Sequence, residues 1–140
     1  MNQEDIKNIR HRSAGAIIKD EKGRILMLDR KLFPFGWACP AGHVDAWETP
    51  EEALSREVKE ETNLDVKRYR LLYNEFIDWN ECSRGIKGHD WYLYEIDEWS
   101  GTVLADKEES KKMEWKSIED IKNLELDDVW KYWFNKLEII

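Results

Sequence analysis

The stretch "GHVDAWETPEEALSREVKEET", Gly42 to Thr62, decides how the rest of the chain is read. It holds seven carboxylates against two cations, Arg56 and Lys59. Five of those acids follow Thr49 in a run that reads as one helix. Thr49 is a good N-cap, Pro50 suits the first helical position, and Glu52 completes a T-x-x-E capping box. Glu51 and Glu52 lie at the positive end of the helix dipole, so their charge has a local explanation. Asn63 is the stop, because Asn is the best substitute for Gly where the chain must turn left-handed. A helix is therefore predicted over Thr49–Leu64.

Glu57, Glu60 and Glu61 lack that explanation. They fall in the middle and last turns, where the dipole disfavours anions. At about 100° per residue, Glu60, Glu57 and Glu61 lie within one arc of roughly 100°. Ala53 falls inside the same arc and Leu54 just beyond it. The acids thus share a face with small and apolar residues, and some of them are expected to be partly buried. Buried carboxylates take up protons or need a cation. Arg56 is one such cation, able to clamp a carboxylate with two parallel bonds. One guanidinium does not balance three acids, whereas a hard divalent ion such as Mg²⁺ or Mn²⁺ does and prefers carboxylate oxygens. The competing reading is a solvated acidic face with Arg56 and Lys59 in local pairs.

Outward from the helix, Ala14–Ile18 and Ile25–Leu28 are apolar runs separated by "KDEKGR", which predicts a β-hairpin. Lys31–Gly42 is a loop carrying Pro, Gly and several aromatics. Val66–Trp79 and Trp91–Trp99 read as strands around the loop "NECSRGIKGHD". "GTVLADKEESKKM" predicts a short strand followed by a charged loop, and "EWKSIEDI" a strand leading into a short helix. Leu126–Leu137 places Val129, Trp130, Trp133, Phe134 and Leu137 on one apolar helical face. Strands around a central helix, with another helix at the end, predict an α/β domain in which a mixed β-sheet is sandwiched between α-helices.

The composition bounds the possibilities. A chain of 140 residues is expected to form one domain over 1–140 with a substantial core. A net charge of −8 argues against a basic nucleic-acid-binding face, but not against a phosphate-bearing ligand reached through a divalent cation. Cys39 and Cys82 lack CxxC spacing, so a reducing, cytoplasmic setting is expected. No run approaches the roughly 20 apolar residues of a membrane span, and no membrane partner is expected. Eight tryptophans imply a large aromatic core or a stacking surface. A homodimer interface is one use for them that the sequence does not show.

The acidic stretch resembles the Nudix box: Gly, five residues, Glu, seven residues, Arg-Glu, an aliphatic, any residue, Glu-Glu, any residue, Gly, an aliphatic. Here Gly42, Glu48, Arg56, Glu57, Val58, Glu60, Glu61 and Leu64 occupy the fixed positions. Only the last glycine departs, as Asn63, which does the same backbone job. The resemblance implies the Nudix fold and a Mg²⁺- or Mn²⁺-dependent pyrophosphohydrolase acting on a nucleoside diphosphate linked to another moiety. On chain size, nucleoside triphosphates, oxidised ones included, are mildly favoured. By the same resemblance, Glu57, Glu60, Glu61 and the Gly42 carbonyl would hold metal, with Glu57 or Glu61 as general base. Arg56 would orient a glutamate, Glu48 would support the loop or a second metal, and a later-loop acid would join them, with Glu109 ahead of Glu108.

Selectivity in such proteins usually lies outside the box. Arg30 and Lys31 are candidates for phosphate contacts, and Phe33, Phe35, Trp37 or Trp91 for stacking a base. Against these stands the plainer reading of core aromatics and surface cations. His11, His43 and His89 have no zinc spacing, and His43 beside Gly42 suits either the site or a turn. A Nudix-fold sensor that binds a nucleotide without cleaving it is the alternative, although no box acid is missing. An isoprenoid-diphosphate isomerase on the same fold would recruit a cysteine such as Cys39.

Overall fold

The structure, a computed structural model, describes residues 11–81 and 87–140. Cys82 and most of the glycine-bearing "SRGIKGH" turn lie outside the described residues. Seven strands and three helices are described: β1 (Arg12–Ile18), β2 (Ile25–Arg30), β3 (Gly36–Ala38), β4 (Ala41–His43), α1 (Pro50–Thr62), β5 (Asp65–Glu81), β6 (Lys87–Ser100), β7 (Ser110–Lys116), α2 (Ile118–Ile121) and α3 (Asp128–Lys136). They build a four-stranded sheet in the order β4-β1-β6-β5 and a three-stranded sheet in the order β3-β2-β7. The first is mixed, because β1 runs parallel to β6 and antiparallel to β4. The second is antiparallel throughout.

The predicted β1–β2 hairpin is corrected. A turn does form, with Gly23 N–H bonded to Asp20 O and φ of 76° at Gly23. After one bridge, Lys19 to Ile25, the strands part into different sheets. The reason lies in β1 itself: from Ser13 to Ile18 every residue is buried. Such a strand needs a neighbour on each edge and a layer on each face. Two short strands, β3 and β4, also cut through the predicted loop Lys31–Gly42. The strand expected near Thr102–Leu104 is absent, and β7 begins only at Ser110. Its exposed Lys111 and Lys112 mask it in the sequence, and they suit an edge strand that must not recruit another.

Two apolar layers flank the mixed sheet. On one face α1 sets Ala53, Leu54 and Val58 against Ala14, Ala16 and Ile18 of β1 and Tyr94 and Ile96 of β6. On the other, α3 sets Val129, Trp130, Trp133 and Phe134 against Ile17, Ile25, Met27, Trp91 and Leu93. The alternation along β1 and β6 is the period of two that a strand enforces. Gly15 lets the Trp130 and Trp91 rings approach the strand closely: a β-carbon on it would meet both rings at 3.0 Å. Three of the eight tryptophans, Trp91, Trp130 and Trp133, are buried in this core, whereas Trp47 and Trp79 are exposed. Among the described residues no helix is long and apolar enough to cross a membrane.

Candidate active site

Helix α1 starts and stops as its sequence dictates. Thr49 Oγ1 accepts from Glu52 N–H at 3.1 Å, and Glu52 Oε1 accepts from Thr49 N–H at 3.0 Å. At the other end Asn63 adopts φ 70°, ψ 4° and returns its N–H to Lys59 O. Between these caps the apolar stripe on the sheet fixes the helix rotation. That rotation carries Glu57 and Glu61 inward over β4, while Glu60 stays exposed.

Arg56 organises the acids. Its Nε and Nη2 both bond Glu48, each at 2.8 Å, and Nη2 also donates to His43 O at 3.0 Å. Nη1 donates to Glu57 Oε1 at 2.8 Å and reaches Glu60 Oε2 at 3.4 Å. Glu48 in turn accepts from Asp45 N–H at 2.9 Å. Donation from Arg56 pulls the Glu48 pKa down to about 2. One guanidinium thus ties the Gly42–Thr49 loop to the helix.

Glu57 and Glu61 lie in the opposite regime. Burial pushes Glu57 up to about 7, although Arg56 acts against it and the charges of Glu60 and Glu109 add to it. Glu61 is 6% exposed and stands well above the carboxylate range, first through burial and then through Glu57 and Glu109. Its hydrogen bond comes from Ala41 N–H at 3.2 Å, and Arg30 is the cation that opposes the rise. The Glu57 carboxylate occupies the space that a β-carbon on Gly42 would need. The bare glycine at position 42 thus lets the carboxylate lie against its backbone.

Glu57, Glu60, Glu61, Gly42, Arg56, Arg30 and Glu109 all line one cavity of about 380 Å³, within the range of small-molecule sites. Arg30 is held by Pro34 O at 2.7 Å. Glu108 is not among the lining residues. Neither are Lys31 and Trp37: Lys31 Nζ bonds Lys107 O on the surface, and Lys116 Nζ lies 4.7 Å over the Trp37 ring. Of the proposed stacking aromatics Trp91 lines the cavity, whereas Phe33 and Phe35 are exposed outside its lining. Asp127 lines it as well, capping α3 through Val129 N–H at 2.9 Å, and burial raises its pKa to about 6.

Sequence reasoning missed Ser13, Asn80, His89 and Asp127. Strand registry alone brings Ser13 opposite both His43 and Trp91, and His89 opposite Ile77. Asp127 alone carried a local signal, as the acid ahead of an amphipathic run.

Among the described residues no three carboxylate, imidazole or thiol side chains already converge as a cation cage. The donor chemistry nevertheless fits a hard divalent ion. Glu57, Glu61 and Glu109 repel one another across the cavity, and Arg56, shared between Glu48 and Glu57, has no bond to Glu61. Burial and mutual repulsion hold two of these acids towards neutrality, and a divalent cation would relieve both.

The NUDIX domain family model matches residues 9–136. The chain belongs to the Nudix family. It is 33% identical over 122 residues to a protein named putative nudix hydrolase 1 of Caenorhabditis elegans, covering 82% of this chain and 31% of that one. It is 35% identical over 115 residues to an ADP-ribose pyrophosphatase of Methanocaldococcus jannaschii, covering 81% of this chain and 64% of that one. The chain thus spans about a third of the first relative and just under two thirds of the second. The MutT Nudix hydrolase of Burkholderia pseudomallei superposes with a TM-score of 0.69 at 26% identity, over 79% of this Nudix chain and 84% of that one. The α/β sandwich described above is therefore the Nudix fold.

Proposed function

We propose that this Nudix chain is a Mg²⁺- or Mn²⁺-dependent pyrophosphohydrolase that cleaves a nucleoside diphosphate linked to another moiety. Nucleoside triphosphates, oxidised ones included, are the first substrates to examine. ADP-ribose follows, since a relative at 35% identity is named for it. The observation that carries this reading is the pair of mostly buried acids beside Glu109, Glu57 lying against Gly42 and Glu61 bonded to Ala41 N–H, with the one guanidinium of Arg56 shared between Glu48 and Glu57.

Glu57, Glu60, Glu61, Glu109 and the Gly42 carbonyl would hold the ion. When bound, it would neutralise diphosphate charge and acidify a bound water. Arg56 orients Glu57 through its 2.8 Å bond and fixes the Gly42–Thr49 loop through Glu48 and His43 O. Glu57 or Glu61 accepts the proton of the attacking water, and a raised carboxylate pKa suits a base working near neutrality. Arg30 adds positive charge on the cavity wall, where the phosphates would lie.

The test is a Mg²⁺-dependent hydrolysis screen over nucleoside triphosphates, ADP-ribose and a 5′-triphosphorylated oligonucleotide, with pyrophosphatase and phosphatase added to convert pyrophosphate and the phosphomonoester products to phosphate. Turnover of at least one class, reduced at least 100-fold in Glu61→Gln, is the expected result. Turnover undiminished by that substitution contradicts the mechanism, and tight binding without turnover supports the sensor reading instead.

A further inference from the structure

Beside the acids the cavity has a polar wall that the hydrolytic reading leaves unused. Ser13, Asn80, His89 and Trp91 line it, with Asn80 and His89 both buried. Its polarity is fixed by two hydrogen bonds. Trp91 Nε1–H donates to Asn80 Oδ1 at 3.1 Å, which leaves Nδ2 as the donor end of that amide. The Asn80 main-chain carbonyl lies 3.0 Å from His89 Nδ1. A carbonyl only accepts, so Nδ1 carries the proton and Nε2 of the neutral ring is an acceptor.

That acceptor is buried and has no hydrogen-bond partner among the described residues. His89 as a whole is 1% exposed. It is boxed in by His43, with ring centres 5.4 Å apart, and by His11 at 6.3 Å. Burial lowers the pKa of His89, with His11 acting in the same direction, so the neutral form persists. Buried acceptors without donors are costly and uncommon in native interiors. A ligand N–H is the simplest partner. An acceptor on His89 and a donor on Asn80 match the edge of a nucleobase, where an N–H lies next to a ring nitrogen or carbonyl.

We propose that His89 is a specificity-determining residue of this cavity, its Nε2 accepting a hydrogen bond from an N–H of the substrate's nucleobase. Asn80 Nδ2 donates to the adjoining acceptor of the same base. The inference deepens the proposed function and rests on it for the ligand class, a nucleoside phosphate. It adds which part of the ligand is read, and by which atom.

The experiment measures binding rather than turnover. Calorimetry with Mg²⁺ compares AMP and GMP with purine riboside 5′-monophosphate, which has no base N–H, and with ribose 5-phosphate. AMP or GMP is expected to bind wild type at least 10-fold more tightly than the purine riboside compound. His89→Phe is expected to shrink that ratio below twofold, and His89→Gln, which keeps an acceptor, to restore most of it. The ¹⁵N resonance of His89 Nε2 is expected to move with the favoured monophosphate and to stay in place with ribose 5-phosphate. Should His89→Phe fail to fold, the ligand series and the resonance on wild type decide alone.

Equal binding of all three purine monophosphates overturns the proposal, as does selectivity that survives in folded His89→Phe. A resonance that moves equally with ribose 5-phosphate transfers the contact to a sugar hydroxyl and overturns the base assignment. Hydrolysis without base selectivity sinks this inference and leaves the proposed function intact. Base selectivity without hydrolysis of any substrate does the reverse.

Discussion

Gly42→Ala separates the architecture of the site from the stability of the fold. A β-carbon built on Gly42 lies 2.0 Å from the Glu57 carboxyl carbon and 2.3 Å from both oxygens. Ordinary carbon contacts lie near 3.5 Å, so the carboxylate must retreat by roughly 1.5 Å. It is the free end of a flexible side chain, and the retreat costs chiefly its 2.8 Å bond to Arg56. Losing a part-buried charged hydrogen bond costs about 1.5–3 kcal/mol at most, because the displaced acid regains water. Alanine at a backbone it tolerates returns about 0.4–1 kcal/mol through the unfolded state. The net loss is therefore about 0.5–2.6 kcal/mol, a fall in Tm of about 10 °C or less. Catalysis does not share that tolerance, since a displacement of about 1 Å in a catalytic group costs on the order of 100-fold. Thermal melts and Mg²⁺-dependent phosphate release on the same preparations are expected to show a near-normal fold and at least 100-fold lower kcat/KM. Combined with Glu57→Asp, which withdraws the carboxylate by one methylene, the loss is expected to be less than the product of the single losses. Wild-type turnover in Gly42→Ala would refute the placement of Glu57 against position 42.

Arg56→Ala strands Glu48 and Glu57, so urea denaturation is expected to show a loss of about 2–3 kcal/mol, which Arg56→Lys does not recover because lysine cannot bond both Glu48 oxygens. Glu57 holds its proton in the fold up to about 7 but releases it near 4.5 when unfolded. Metal-free protein should therefore lose stability as pH rises through that window, and Glu57→Gln should flatten the loss in thermal melts. For the same reason Mg²⁺ binding at pH 6 should release protons from Glu57 and Glu61, as calorimetry in buffers of different ionisation enthalpy would show. Asp127, raised to about 6, destabilises the fold as pH rises from about 4 past 6. Asp127→Asn keeps the α3 cap and is expected to add about 1–3 kcal/mol at pH 8 and nothing at pH 3, read from urea midpoints.

Helix α1 and its acids were legible because their signals are local. The capping box, the αL stop at Asn63 and the inward turn of Glu57 and Glu61 follow from spacing within 15 residues. The partition of β1 and β2 into separate sheets was not legible, because their turn looks the same whether the strands pair or part. β7 hid behind Lys111 and Lys112, whose charges serve an edge. The Asn80–His89–Trp91 wall depends on the pairing of β6 with β1 and β5, and no local pattern reports such registry. Lys31 and Trp37 were singled out by chemical type alone, and the turn after β2 carries Lys31 outward while its neighbour Arg30 lines the cavity.

The central claim is that Glu57 and Glu61 share one divalent ion against the Gly42 carbonyl and present it to a diphosphate. Anomalous diffraction from crystals soaked in Mn²⁺ with an α,β-methylene nucleotide tests it most directly. A manganese peak at about 2.0–2.3 Å from oxygens of Glu57, Glu61 and Gly42, touching the diphosphate analogue, is the expected result. Manganese bound elsewhere, with no peak bridging these two side chains and the analogue absent from the cavity, would contradict it.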